Sequence, residues 1–217
     1  MKKQVSDNPE KNRKTNILFV LSALMITLYI ASNAMAVKII AINNIAVFDA
    51  GTLTFPFAYM LSDVIAEMWG FKTAKKVIWL SFACNIVFVL CTYVGTFVPT
   101  PDYLQNTADA YSVVFGYVPR IVFASCLAYV CGELINAWVL DKIKEKTGKK
   151  NLWIRTIGSS AVAYVFDTGL FVLVAFAKTA SISDMFTMFI IQYPVKLAIE
   201  ALFGTPLAYA VIKRIDK

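Results

Sequence analysis

Asp63, Glu67, Arg120, Glu133, Asp167, Lys196 and Glu200 stand inside long apolar runs of this 217-residue chain. A charged side chain at the centre of a lipid-embedded helix costs roughly 2.5–3.5 kcal/mol on insertion scales. Such groups must turn inward, toward one another or toward water. Asp63 and Glu67 lie four residues apart and so share a helix face. Two carboxylates so close call for a cation, which Arg120 or Lys196 could supply. The pair suits a ligand or proton site, a structural ion-pair network, or, for Glu67, contact with the aqueous interface. Arg120 can snorkel to headgroups or present its fork to a carboxylate across a bundle. Lys196 and Glu200 are also four apart, but Lys before Glu is the weaker local orientation, so each can pair across helices. Asn33, Asn136 and Gln192 donate and accept at once, which serves either to bind helices together or to read a planar heterocycle.

Much other chemistry has no residues to carry it. The chain has no histidine, no H-E-x-x-H, no Gly-x-Ser-x-Gly and no Walker loop. An enzyme would have to work with carboxylates alone, and ATP hydrolysis by this chain is excluded. Cys84, Cys91, Cys126 and Cys131 lie in apolar runs without a C-x-x-C pair, as small core thiols do. No metal and no cofactor is implied. The net charge of +7 is distributed between apolar runs rather than gathered in one patch, so nucleic acid is not the expected partner.

The elements that position these residues follow from composition. Apolar residues make up 59% of the chain and charged ones 16%, and the mean hydropathy is +0.64. Soluble domains have about 45–50% and 25%. The expected fold class is all-α integral membrane. A polar segment, 1–16, precedes a membrane domain, 17–213, of six transmembrane helices. The spans are expected at about 17–40, 52–68, 76–97, 115–139, 152–176 and 184–212, since each needs about 20 apolar residues. The second is short, carries Pro56, Asp63 and Glu67, and must be broken, re-entrant or shielded by protein. Residues 42–51 read as a short connection and 99–114 as the longest external loop. All but Lys38, Arg120, Lys178 and Lys196 of the 21 basic residues then fall on one side, which places both termini in the cytoplasm.

The pattern Pro56-x-x-Tyr59-x-x-x-Asp63-x-x-x-Glu67-x-Trp69-Gly70 resembles the signature of the VUT family of queuosine precursor transporters. The likeness continues through Ser32-Asn33 and Lys38, Arg120 with Ala124-Ser125, Asp167-Thr168 with Phe171, and Lys196 with Thr205-Pro206. Two positions depart from it. Trp69 stands where the family has Tyr, and Tyr164 where it often has Gln, which removes an amide from the fifth helix. The resemblance implies a fold similar to the substrate-binding components of energy-coupling-factor vitamin transporters. It also implies import of the 7-deazapurines preQ0 and/or preQ1 across the bacterial plasma (inner) membrane. The alternative is a vitamin-binding subunit of an ATP-driven system. Asn33, Asp63, Glu67, Arg120, Gln192 and Lys196 are the expected substrate-binding residues. Asp63 and Glu67 would accept from the base edge, and Arg120 and Lys196 would hold them ionised. The lipid bilayer is the other partner, and a homo-oligomer is allowed.

Overall fold

The computed structural model describes residues 9–147 and 152–215. Helix α1 (Pro9–Met35) leads into strands β1 (Ile39–Ile42) and β2 (Ile45–Asp49) and a 3-10 turn (Ala50–Leu53). Helices α2 (Phe55–Trp69) and α3 (Phe71–Gly95) follow. After a second 3-10 turn (Asp102–Leu104) come α4 (Gln105–Thr147), α5 (Leu152–Phe176) and α6 (Ile182–Ile199). A π-helical segment (Glu200–Gly204) joins α6 to α7 (Thr205–Ile215).

The distribution of side chains is inverted relative to a soluble protein. Phe19, Trp79, Leu90, Phe123, Trp138, Phe186 and Phe203 are exposed, whereas Ser32, Asn33, Asn85, Ser125, Asp167, Thr168, Gln192 and Lys196 are buried. Only lipid rewards that arrangement, because apolar side chains facing outward lose nothing there while polar ones need partners inside. Among the described residues, five helical stretches are long and apolar enough to cross a membrane: Asn12–Met35, Phe71–Gly95, Asp102–Asn136, Ile157–Phe176 and Ile182–Arg214. Helix α2 has 15 residues, which is about 22 Å at ~1.5 Å per residue, short of the ~30 Å hydrocarbon core. It lies shielded, with Pro56, Ala58, Met60, Leu61, Ser62, Val64 and Ile65 buried. They pack with Leu21 and Met25 of α1 and with Ala74 and Val77 of α3. A second core joins Ile121, Ala124 and Ala128 of α4 to Phe171, Val172 and Ala175 of α5 and Met188 of α6.

The structure departs from the sequence expectation between α1 and α2. The first helix stops at Met35 instead of continuing to residue 40, and the connection is a β-hairpin. Asn43 and Asn44 both have positive φ, 49° and 63°. That is the conformation of a two-residue type I′ turn, which Asn tolerates. The flanking β-branched Ile39, Ile40, Ile42, Ile45 and Val47 favour strand over helix. The hairpin packs on α6.

Two further segments are helical where loop is expected. Helix α4 starts at Gln105, whose side-chain amide donates to Asp109 one turn on at 3.2 Å. At its other end it runs to Thr147 through a Lys/Glu-rich stretch of good helix formers. Pro119 lies inside α4 and Pro194 inside α6, each removing one helical hydrogen bond. At the front of the chain α1 begins at Pro9, so the polar segment expected at 1–16 is partly helix; residues 1–8 lie outside the described residues.

Gly51 is where the 3-10 turn meets α1. A Cβ there would sit 2.3 Å from the Ser32 carbonyl oxygen, whereas one on Gly116 of α4 would meet nothing within 4 Å. Gly51→Ala therefore forces hairpin and helix apart, and a loss of about 1–3 kcal/mol is expected. Gly116→Ala should leave stability level or slightly higher. Thermal unfolding in detergent checks both, and equal midpoints for the two variants would contradict the close approach.

Candidate functional site

Three cavities follow one another through the bundle, connected by shared carboxylates. The first lies beneath the hairpin. It encloses about 300 Å³ and is lined by Ser32, Asn33, Ala36, Asp49, Gly51, Thr52, Phe55, Ser125, Ala128, Asp167, Phe171, Gln192 and Lys196. All of these except Phe55, which is half-buried, are buried. The second, about 320 Å³, is lined by Tyr59, Asp63, Gly132, Glu133, Asn136, Ser160, Ala163, Tyr164, Asp167 and Glu200. The third, about 550 Å³, is lined by Met60, Asp63, Val64, Glu67, Glu200, Gly204, Thr205, Ala208, Tyr209 and Ile212. Asp167 belongs to the first two, and Asp63 and Glu200 to the last two.

At the boundary between the first two cavities Lys196 Nζ lies 2.8 Å from Asp167 Oδ2, with both side chains almost wholly buried. The Tyr59 hydroxyl donates to the other oxygen, Oδ1, at 3.0 Å. Both carboxylate oxygens are thus engaged. The ammonium also sits 5.7 Å from the Phe55 ring centroid, 5.8 Å from Phe171 and 5.9 Å from Tyr164. Ring quadrupoles at such distances attract a desolvated cation. Gly132 of α4 allows the approach, since a Cβ on it would lie 3.1 Å from Asp167 Cβ.

The roof of the first cavity is built around Asp49. Its carboxylate accepts from the Thr52 amide at 3.1 Å, the Thr52 hydroxyl at 3.0 Å and Gln192 Nε2 at 3.0 Å. These bonds cap the 3-10 turn and fasten the hairpin to α6. Burial raises the Asp49 carboxyl above its ordinary value, while Lys196 and the Thr52 hydrogen bonds pull it back. The Gln192 Oε1 atom is buried and has no donor. On the α1 side, Asn33 Nδ2 donates to Asn85 Oδ1 at 3.0 Å, and Ser125 Oγ donates to the Tyr29 hydroxyl at 3.1 Å.

The six residues singled out in the sequence divide among these places. Asn33, Gln192 and Lys196 converge on the first cavity. Asp63 and Glu67 line the third, and Asp63 also the second. Asp63 lies deep in the bundle, within electrostatic reach of Glu133 and Glu200, yet its side chain is exposed to the cavity space. Arg120 lines none of the three. Its Nε donates to the Val174 carbonyl at 2.9 Å and its Nη2 to the Ala177 carbonyl. It thus caps the C-terminal end of α5, where free carbonyls and the helix dipole favour a cation.

The expected pairing of Arg120 and Lys196 with Asp63 and Glu67 is therefore corrected. The α5 terminus satisfies Arg120, and Asp167 satisfies Lys196. Sequence reasoning left Asp49 unremarked in a connection and gave Asp167 no partner. The Asn43-Asn44 dipeptide between β-branched runs was the available signal for the hairpin that carries Asp49 inward.

Residues 49–211 match the family model described as "Putative vitamin uptake transporter". The chain belongs to this family. The VUT proteins it resembles include a "Probable queuosine precursor transporter" of Bacillus subtilis, 29% identical over 86% of this chain and 80% of the relative. A "Queuosine precursor transporter" of Escherichia coli is 25% identical over 75% of this chain and 71% of the relative. A third, from Haemophilus influenzae and named as the first is, is 27% identical over 75% and 67%. No solved structure matches the chain. The family is one of transporters rather than enzymes, and its membership together with the apolar helices makes this VUT protein a multi-pass membrane transporter.

Breaking the Lys196–Asp167 pair from one side leaves a buried charge without compensation, which costs about 3–5 kcal/mol. Lys196→Ala should lower the thermal midpoint sharply. Adding Asp167→Asn should recover much of the loss, because the orphaned charge goes too. Melting curves of the single and double variants in detergent decide this, and a Lys196→Ala protein as stable as the parent would refute the pairing.

Proposed function

We propose that this VUT protein imports queuosine precursors, the 7-deazaguanines preQ0 and/or preQ1, across the bacterial inner membrane, and that the substrate sits in the cavity beneath the hairpin. The observation that carries the reading is the orphaned Gln192 Oε1. It is a buried acceptor, without a donor among the described residues, in a cavity whose lining also includes the rings of Phe55 and Phe171. A guanine-like edge brings neighbouring N–H donors, and its plane suits aromatic walls. The names of the relatives support the substrate class.

In this reading Gln192 and Asn33 address the carbonyl and amino edges. Asp49 accepts N–H groups as charge-assisted partners. Lys196 and Asp167 form the floor, and a substrate with a cationic aminomethyl group would compete with Lys196 for Asp167. Asp63 and Glu67 line the onward route, and Arg120 holds the end of α5 rather than touching substrate. Short α2 counts as a sixth crossing, since it is buried by its neighbours and needs no lipid-length face. Both termini then lie in the cytoplasm with most of the basic residues. Movement of the hairpin and α6 relative to α4 and α5 would open the cavity on one side, and parting of the Lys196–Asp167 floor would open it on the other.

Cells unable to make preQ1 should accumulate labelled preQ1 when they express this protein. Gln192→Ala should cut uptake at least about tenfold, the equivalent of ~1.4 kcal/mol and within the cost of a lost buried hydrogen bond. Full uptake by both Gln192→Ala and Asn33→Ala proteins would remove the substrate from this cavity.

A further inference from the structure

The second cavity gathers four carboxylates, of which the substrate site uses only Asp167. Asp63 comes from α2, Glu133 from α4, Asp167 from α5 and Glu200 from the π segment. Among the described residues no basic side chain lines this cavity or the third. Lys196 makes its ion pair with Asp167, and among the described residues no ion pair reaches Asp63, Glu133 or Glu200 from the lining of this cavity. Glu200 is 6% exposed. Its Oε1 accepts from Ser160 Oγ at 2.8 Å, while its Oε2 is buried without a partner. Asn136 Oδ1, on the same cavity, also lacks a donor.

This wall of acceptors needs positive charge, and two sources are conceivable. A metal ion requires several ligands converging on one point, and no such grouping of acidic side chains exists among the described residues. A proton needs only one oxygen. Bound to Glu200, it removes a buried charge and turns one acceptor into a donor.

We propose that Glu200 binds a transported proton and that this proton crosses together with the substrate. The proposal rests on the substrate reading above for the identity of the co-transported molecule, but not for the proton site. The proton enters with the substrate from the first cavity past Asp167 and leaves Glu200 through the third, where Asp63 and Glu67 are exposed. Asp167 provides the coupling. It touches both the first and second cavities, held by Lys196 on one oxygen and Tyr59 on the other. A change of charge at Glu200 and a ligand against Lys196 therefore act on one carboxylate from opposite sides. The groups facing Glu200 are Asp63 and Glu67 from α2, Glu133 from α4, Tyr164 and Asp167 from α5, and Tyr209 from α7. None of them is a cation, so repulsion sharpens the demand for the proton.

The test uses the full chain reconstituted in liposomes, with labelled preQ1 and a trapped pH-sensitive dye. A proton gradient of one unit, acid outside, should drive accumulation toward about tenfold for one-to-one coupling, with acidification of the interior on adding preQ1. A sodium gradient alone should do neither. Glu200→Gln should retain preQ1 exchange at equal pH while losing both gradient-driven accumulation and dye response. Wild-type accumulation indifferent to the proton gradient overturns the proposal, as does an unchanged gradient response in Glu200→Gln. Failure of the wild type to exchange preQ1 at all refutes the substrate instead. In that event the infrared band of protonated carboxyl groups decides for the proton: it should be present in the wild-type protein and reduced in Glu200→Gln, and an identical band in both sinks the site. If Glu200→Gln does not insert, Glu200→Asp serves as the variant, with the gradient response expected to survive in weakened form; a full-strength response would count against the assignment.

Discussion

A charge at lipid depth survives only where protein groups take over the work of water, and the Lys196–Asp167 pair is where this chain meets that demand. The ammonium has one carboxylate oxygen and three aromatic rings around it, and the carboxylate has the ammonium and a tyrosine hydroxyl. Because α5 and α6 each contribute one member and α2 contributes Tyr59, the pair fixes the relative positions of three helices. Pairs of this kind add little net stability compared with an apolar core, since both ions must be desolvated. Their effect is to make any other arrangement of those helices expensive.

The same constraint explains the surroundings. The rings of Tyr29, Phe55, Tyr59, Phe82, Tyr129 and Tyr164 interlock at centroid distances between 4.8 and 6.1 Å. They wrap the polar centre in material that is apolar in bulk but carries hydroxyl groups at its edge. Ser32 pairs with Thr54, Asn33 with Asn85 and Ser125 with Tyr29, and the hairpin closes the end with Asp49. Beside the pair, Gln192 Oε1 and Glu200 Oε2 are buried acceptors without a donor among the described residues.

A transporter must be able to dismantle what holds it closed. The Asp49–Gln192 contact on one side of the first cavity and the Lys196–Asp167 contact on the other are each made by one or two side chains rather than by a broad apolar surface. By contrast, Arg120 fastens the end of α5 through two backbone carbonyls, and the apolar clusters around Val64 and Ala124 keep the helices as rigid bodies. Pro119 and Pro194 interrupt the regular hydrogen bonding of α4 and α6, and the π segment does so between α6 and α7, beside the second and third cavities. Such interruptions lower the cost of local rearrangement.

Composition and periodicity were enough to establish a predominantly helical membrane chain, because lipid leaves the backbone few alternatives and apolar run lengths are set by its thickness. The identities of the unusual residues were legible for the same reason: an ion in an apolar run is conspicuous. Asn33, Gln192 and Lys196 could be marked as belonging to a polar interior before any helix was placed. Their partners could not. Which carboxylate meets Lys196, whether Arg120 reaches an acid or a helix end, and whether Asp63 shares a cavity with Asn33 depend on helix rotation and depth. Those are settled by packing among α2, α4, α5 and α6, and sequence spacing along one helix says nothing about them. The hairpin was written locally in Asn43-Asn44 and its β-branched flanks. Yet only its docking on α6 turned Asp49 from a residue in a surface connection into the roof of a buried cavity.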